Sequence, residues 1–358
     1  TTSAPICRNE LPNYAKATTT DTLGFMYPFV FETLYDSTEV VSNGKVLYRY
    51  PPVYIGNTIQ TNCVVFYDNF QKLEDRSNYN EFICGSSGRG KTFFLMMLIY
   101  YRFAIGYRQY IIDVEGKELN KLTYYLKGEN FNCADGSKGR INPLQVRINI
   151  PDSDDGEEKT PLSEIYPLAQ HIRFLRAFFQ AYKGNSHEIG LLHDNMIENA
   201  LLEVYKERGI SLSTSAEYIV ENFKNEDYPV MLDVYNKLEE KLYDLKKSND
   251  PSDTKEVDRV RVCLAFLEPL AKGADANLFN GYTNIDLNNK LICFNISALH
   301  DNSDSRVLKT QYYNILSYIW TDVISNKDNS RIQIYNDEFH VAMDARFPDI
   351  MTFFKNTT

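Results

Sequence analysis

Residues 85 to 92 read Gly85-Ser86-Ser87-Gly88-Arg89-Gly90-Lys91-Thr92, a complete G-x-x-x-x-G-K-T. The chemistry this pattern can do is polyphosphate binding. Consecutive backbone N–H groups curl round phosphates only where glycines remove the Cβ, and the following helix must offer its positive N-terminus. Lys91 then reaches the terminal phosphates, and the hydroxyl of Thr92 holds a magnesium ion. The glycines at 85, 88 and 90 are spaced G-x-x-G-x-G, the reverse of a dinucleotide fingerprint.

A second group of chemical residues lies far downstream. Asp337-Glu338 follow a short apolar strand, and an acidic pair there is what a phosphate-loop ATPase needs to complete its site. Asp337 is expected in the magnesium shell and Glu338 beside the attacking water. Asp113 and Glu115 end another strand; they suit either a metal-bound water, a neighbouring subunit or a plain strand-terminal turn. His187-Glu188 and His193 form H-E-x-x-x-x-H, which puts the imidazoles on different helix faces and excludes a zinc-protease site. His340, two residues past the acidic pair, suits either a sensor of the γ-phosphate or an ordinary post-strand residue. The acidic stretch 152 to 158 lacks the alternating oxygen ligands of a calcium loop.

Elements must bring these groups together. Glu81-Phe82-Ile83-Cys84 is short and apolar enough for a buried strand, and Phe93 to Ile99 continue from the loop as a buried helix. Tyr110 to Gly116 reads as a strand entering a turn, and Glu118 to Leu126 as a helix. Alternating strands and helices imply a parallel sheet. From 155 to 284 the pattern becomes helical: apolar residues recur at 165, 168, 172, 175 and 179, and again at 231, 234, 238, 242 and 245. Thr214-x-x-Glu217 has the form of a capping box. Strand character returns at Leu291 to Ile296. A helix from Arg306 to Ile324 and a strand from Arg331 to Tyr335 follow. Three regions are expected: a β-rich lead-in over 1 to 80, a nucleotide-binding core over 81 to 150 and 285 to 358, and an all-helical insertion over 155 to 284.

Composition narrows the classes. A chain of 358 residues with 43% apolar content can bury a large core. The formal charge of −10 argues against a surface built to coat duplex DNA, although a local basic groove stays open. Six cysteines without C-x-x-C spacing suggest neither zinc nor a disulfide framework, and fit a reducing compartment. No apolar run approaches the roughly 18 residues that cross a bilayer.

Taken together, Tyr27-Pro28-Phe29, the loop Gly85 to Thr92, Ile111-Ile112-Asp113-Val114-Glu115-Gly116-Lys117-Glu118, Gly139-Arg140-Ile141-Asn142-Pro143-Leu144, and Asp337-Glu338 with His340 resemble the C-terminal ATPase domain of the CagE/TrbE/VirB family. These are motor ATPases of type IV secretion and conjugation, of the HerA-FtsK type. The resemblance implies an α/β fold with a RecA-like core, a mostly parallel sheet and an all-helical insertion. It implies ATP and Mg2+ as cofactors, with the family's loop lysine at Lys91, its hydroxyl at Thr92 and its acids at Asp337 and Glu338. It also implies a homo-oligomer such as a hexamer, partners among secretion components and the coupling protein, and a cytoplasmic location peripheral to the inner face of the cell membrane.

Family members continue past the acidic pair with an Arg-Lys segment and a strand ending in glutamine. That part of the core is expected to be missing here, leaving a fragment of low activity. Two other readings stand beside the motor: a DNA-translocating coupling protein of the same superfamily, and a nucleotide-gated scaffold with negligible turnover. Small-molecule kinases share the loop, but their arginine-rich lids have no counterpart here.

Overall fold

The computed structural model describes residues 40–42, 45–47, 50–59, 61–71, 79–86, 88–148, 161–184, 189–248, 254–300, 305–326 and 330–338. Tyr27 to Phe29, Ser87, His187, Glu188, the acidic stretch 152 to 158 and His340 lie outside them. The chain divides into two compact units, Thr1–Ser77 and Asn78–Thr358.

Among its described residues the first unit holds two antiparallel pairs. Strands β1 (Val40–Ser42) and β2 (Lys45–Leu47) form one, and β3 (Val53–Asn57) and β4 (Val64–Tyr67) the other. The second pair is broken by a bulge between Tyr54 and Gly56.

The second unit carries the chemistry. Helix α1 (Lys91–Ala104) leads into β5 (Arg108–Asp113), α2 (Glu118–Tyr125) and β6 (Glu129–Asn132). Helices α3 (Pro167–Lys183), α4 (Leu191–Glu207), α5 (Ala216–Asn222), α6 (Met231–Ser248) and α7 (Thr254–Ala271) follow. The chain then returns through β7 (Leu291–Asn295), α8 (Ser305–Ile324) and β8 (Ile332–Asn336). The four strands pair in the order β6-β7-β5-β8, every pair parallel.

Why these strands are buried is visible in their alternation. Ile111 of β5 and Leu291 and Cys293 of β7 pack with Ile99, Leu119 and Tyr335 on one face. Their neighbours Tyr110, Ile112, Ile292 and Phe294 point to the opposite face. There they join Leu175 and Phe178 of α3, Leu201 and Val204 of α4 and Ile315 and Ile319 of α8 in a single core. A period of two that is apolar on both phases is what a sheet covered on both sides requires. Each fully buried Ile, Leu or Phe here contributes about 1.5 to 3 kcal/mol.

Two local expectations differ from what forms, and one strand has no signal in the sequence. Residues 81 to 84 carry no strand pairing; their burial alternates half-buried and exposed, and Phe82 is 81% exposed. A buried strand needs both faces covered, and this segment covers one. The cap of α5 is Ser215, whose Oγ accepts from the Tyr218 amide at 3.3 Å. Thr214 is unavailable because its hydroxyl accepts from the Ser211 amide at 2.8 Å. Strand β6 reads Glu-Asn-Phe-Asn, an edge strand with a single apolar side chain and hence no alternation for sequence reasoning to detect.

Candidate functional site

The phosphate-loop residues stand at the head of α1. Gly88 and Gly90 adopt φ of 72° and 86°, in the region that favours glycine. The loop closes through Arg89 N–H to the Ser86 carbonyl at 3.3 Å and Phe94 N–H to the Gly90 carbonyl at 2.9 Å. The first turn of α1 has no side-chain cap and no acidic residue. Its amide groups and dipole are thus left for an external anion. The Lys91 ammonium folds back over the loop, donating to the Gly85 carbonyl at 2.9 Å and the Ser86 carbonyl at 3.4 Å. Thr92 sits half-buried one residue further on.

The way α1 returns to the sheet decides where this loop lies. The chain reverses through Gly106 and Tyr107, whose amides donate to the Phe103 and Arg102 carbonyls. Helix α1 has 14 residues, about 21 Å at 1.5 Å each, and β5 has 6, about 20 Å. Gln109, near the start of β5, donates to the Ile99 carbonyl at 3.1 Å, which sets the helix antiparallel along the strand. The N-terminus of α1 therefore comes back to the C-terminal end of β5. Asp113 is the last residue of that strand.

At the same edge, β5 pairs with β8 so that Ile112 faces Asn336, and the Asp337 amide donates to the Ile112 carbonyl at 3.2 Å. The parallel register thus sets Asp337 and Glu338 beside Asp113. Asp113 Oδ1 accepts from the Gly116 amide at 2.7 Å. Gly116, at φ 73°, has no room for a side chain: a Cβ would stand 2.2 Å from Ser297 Oγ. Ser297 is itself held by Asn295 Oδ1, which accepts from its amide at 2.9 Å and its hydroxyl at 2.7 Å.

Among the described residues, the charges that act on Asp337 are acidic. Burial, and then the charges of Asp113, Glu115 and Glu338, push the Asp337 carboxyl up to about 6. Asp113 is raised as well, chiefly by burial, against the pull of the Gly116 and Glu115 amides. Glu338 holds a left-handed backbone, φ 50°, a conformation costing about 1 to 2 kcal/mol for a residue with a side chain. Carboxylates crowded until one resists ionisation are a setting a divalent cation would relieve. Among the described residues no three His, Cys, Asp or Glu side chains converge as a ready-made metal site.

A feature sequence reasoning missed ties these pieces. Arg102, in the last turn of α1, is buried and forms an ion pair with Glu81 at 2.5 Å and a hydrogen bond to Tyr335 Oη at 3.3 Å. The only sequence signal is a charge within an otherwise apolar helix. By contrast, His193 uses Nδ1 to accept from the Gly190 amide at 3.1 Å, a local helix-start bond with no metal character.

A parallel sheet with helices on both faces, a glycine loop heading α1 and an acidic pair at the neighbouring strand edge define an α/β protein with a RecA-like core. Among solved structures the chain is similar to VirB4 of Thermoanaerobacter pseudethanolicus, with a TM-score of 0.70 and 28% sequence identity over 86% of this chain and 72% of that one. No family model and no curated protein matches it. The resemblance read from the sequence is supported at that level: the chain is VirB4-like, as a likeness to the CagE/TrbE/VirB family leads one to expect. Among the described residues no helix is long and apolar enough to cross a membrane.

Proposed function

We propose that this chain binds ATP at Gly85 to Thr92 and hydrolyses it with the help of Asp337 and Glu338, as part of a motor driving channel assembly or substrate transfer in type IV secretion or conjugation. What supports this reading is that α1, with its uncapped N-terminus, runs back along β5, the strand that pairs with the one preceding the acidic pair. Bound Mg2+ would neutralise phosphate charge; Thr92 and Asp337 are the residues to hold it, with phosphate oxygens and water completing its shell.

The steps assigned to the protein are few. The α1 amides and the loop N–H groups between Gly85 and Gly90 grip the phosphates. Lys91 gives up its bonds to the Gly85 and Ser86 carbonyls and turns to the terminal phosphate oxygens. Glu338 orients a water for in-line attack, and Asp337 enters the site ionised once its repulsion from Asp113, Glu115 and Glu338 is offset. Residues 155 to 284 are assigned to a helical insertion whose helices share a core with one sheet face. Homo-oligomerisation, contacts with secretion components and the coupling protein, and a cytoplasmic position against the inner membrane face belong to the same proposal.

Lys91→Ala in the full-length protein tests it. ATP turnover should fall by at least about a hundredfold. Undiminished hydrolysis would sink the assignment. Tight nucleotide binding without turnover in the unaltered protein would favour a nucleotide-gated scaffold, and turnover stimulated by DNA in a salt-sensitive manner a DNA-translocating coupling protein.

A further inference from the structure

Arg102 sits where a charge is costly. It is 1% exposed, and an unpaired ion at such a depth costs several kcal/mol. Burial alone would depress its guanidinium, but Tyr335 and Glu81 outweigh that and hold it firmly cationic. Its partners are spaced to matter. Glu81 lies four residues before Gly85, and Tyr335 two residues before Asp337. Arg102 itself lies in the last turn of the helix that Lys91 begins. One side chain therefore touches the segment leading into the phosphate loop, belongs to the loop's own helix and touches the strand that carries the acids.

Residues 81 to 84 make no strand pairing, and no backbone hydrogen bond among the described residues joins them to β8. The main-chain ladder that would ordinarily hold two strands in register is absent at this point, so the register falls to side chains. The Glu81–Arg102–Tyr335 chain is made of such contacts, and its ends are separated by most of the sequence. Tyr335 is pinned further by its place in the core with Ile99 and Ile111, and the Arg102 guanidinium lies 6.0 Å from its ring centroid.

We infer that Arg102 is a positioning residue that sets the phosphate loop's leading segment against the acidic strand, its Glu81 arm serving nucleotide grip and its Tyr335 arm serving the placement of Asp337 and Glu338. The inference rests on the reading of those two motifs as halves of one ATP site. It predicts that the two arms separate kinetically. A misplaced loop weakens binding, whereas acids misplaced by a fraction of an ångström slow the chemical step.

Steady-state ATP hydrolysis by the full-length protein, with nucleotide affinity measured alongside, tests this on Glu81→Gln, Tyr335→Phe and Arg102→Lys. Tyr335→Phe keeps the ring and removes one oxygen. It should lower kcat about fivefold or more with KM within about twofold of the parent. Glu81→Gln should raise KM for ATP about fivefold with kcat nearly unchanged, and Arg102→Lys, too short and unbranched to serve both arms, should show both effects. A merely structural role would lower the thermal midpoint and the active fraction while leaving both constants per active site alone. That pattern, or the same pattern in both single-arm variants, overturns the inference. An unaltered protein with no ATP turnover refutes the ATPase reading itself and the inference with it.

Discussion

Replacing Asp337 by Asn should make the nucleotide-free protein more stable at neutral pH while destroying its hydrolysis. The folded state raises this carboxyl from 3.8 to about 6, so ionisation is disfavoured by folding. A rise of that size is worth about 3 kcal/mol at 1.36 kcal/mol per pH unit. Asp337 is only half-buried, and solvent screening leaves about 1 to 2 kcal/mol of it. A group whose folded pKa is raised contributes its full relative stability below the unfolded value and loses it as pH climbs through the folded one. The loss therefore falls between about pH 4 and pH 6. Asparagine keeps the shape and never ionises. In urea denaturation without nucleotide or magnesium, Asp337→Asn should exceed the parent by about 1 to 2 kcal/mol at pH 7.5 and match it near pH 4. Saturating Mg-ATP should reverse the order at pH 7.5, since only the parent carries the anionic ligand. A variant less stable than the parent at pH 7.5 without ligand, or one equally shifted at both pH values, would refute the idea that crowded acids strain this edge.

Gly116→Ala should be costly for two separable reasons. Its φ of 73° costs about 1 to 2 kcal/mol, and the collision with Ser297 Oγ at 2.2 Å adds about 1 to 3 more, seen as a lowered thermal midpoint and impaired turnover through Asp113. Adding Ser297→Gly to that variant should restore part of the loss, and no recovery would contradict the geometry. His171 is buried against Phe174 and Tyr205, and burial, then Arg147, push its imidazole well below 6.5. A depressed folded pKa contributes stability above about pH 6.5 that is lost as pH falls. From pH 7 to pH 5 the parent should therefore lose about 1 to 2 kcal/mol more than His171→Leu in parallel urea titrations.

The residues proposed for the chemistry were readable in the chain because their pattern is local. Glycine spacing, a lysine and a hydroxyl within eight positions make the phosphate-loop pattern, and the strand-like Ile-Gln-Ile-Tyr-Asn followed by Asp-Glu puts acids at a strand end. Helix and strand periods likewise depend on neighbours a few residues away, so β5, β7, α3, α6 and α8 formed where their patterns placed them. Where a competing local bond existed, the local signal misled: Thr214 has the form of a cap but is spent on Ser211, so Ser215 takes its place.

What tertiary structure alone decided is which of these signals meet. Residues 81 to 84 have the composition of a buried strand, yet pairing requires a partner edge and a second covered face, which only the assembled sheet can supply or withhold. The acidity of Asp337 depends first on its burial and then on Asp113 and Glu115, more than two hundred residues away in sequence and brought beside it by a parallel register. The Arg102 to Tyr335 contact spans 233 positions, and no window of sequence contains both ends. Local pattern thus picked out the candidate phosphate loop and acids, whereas the charge state of Asp337 and the buried arginine between their supports are properties of chain closure.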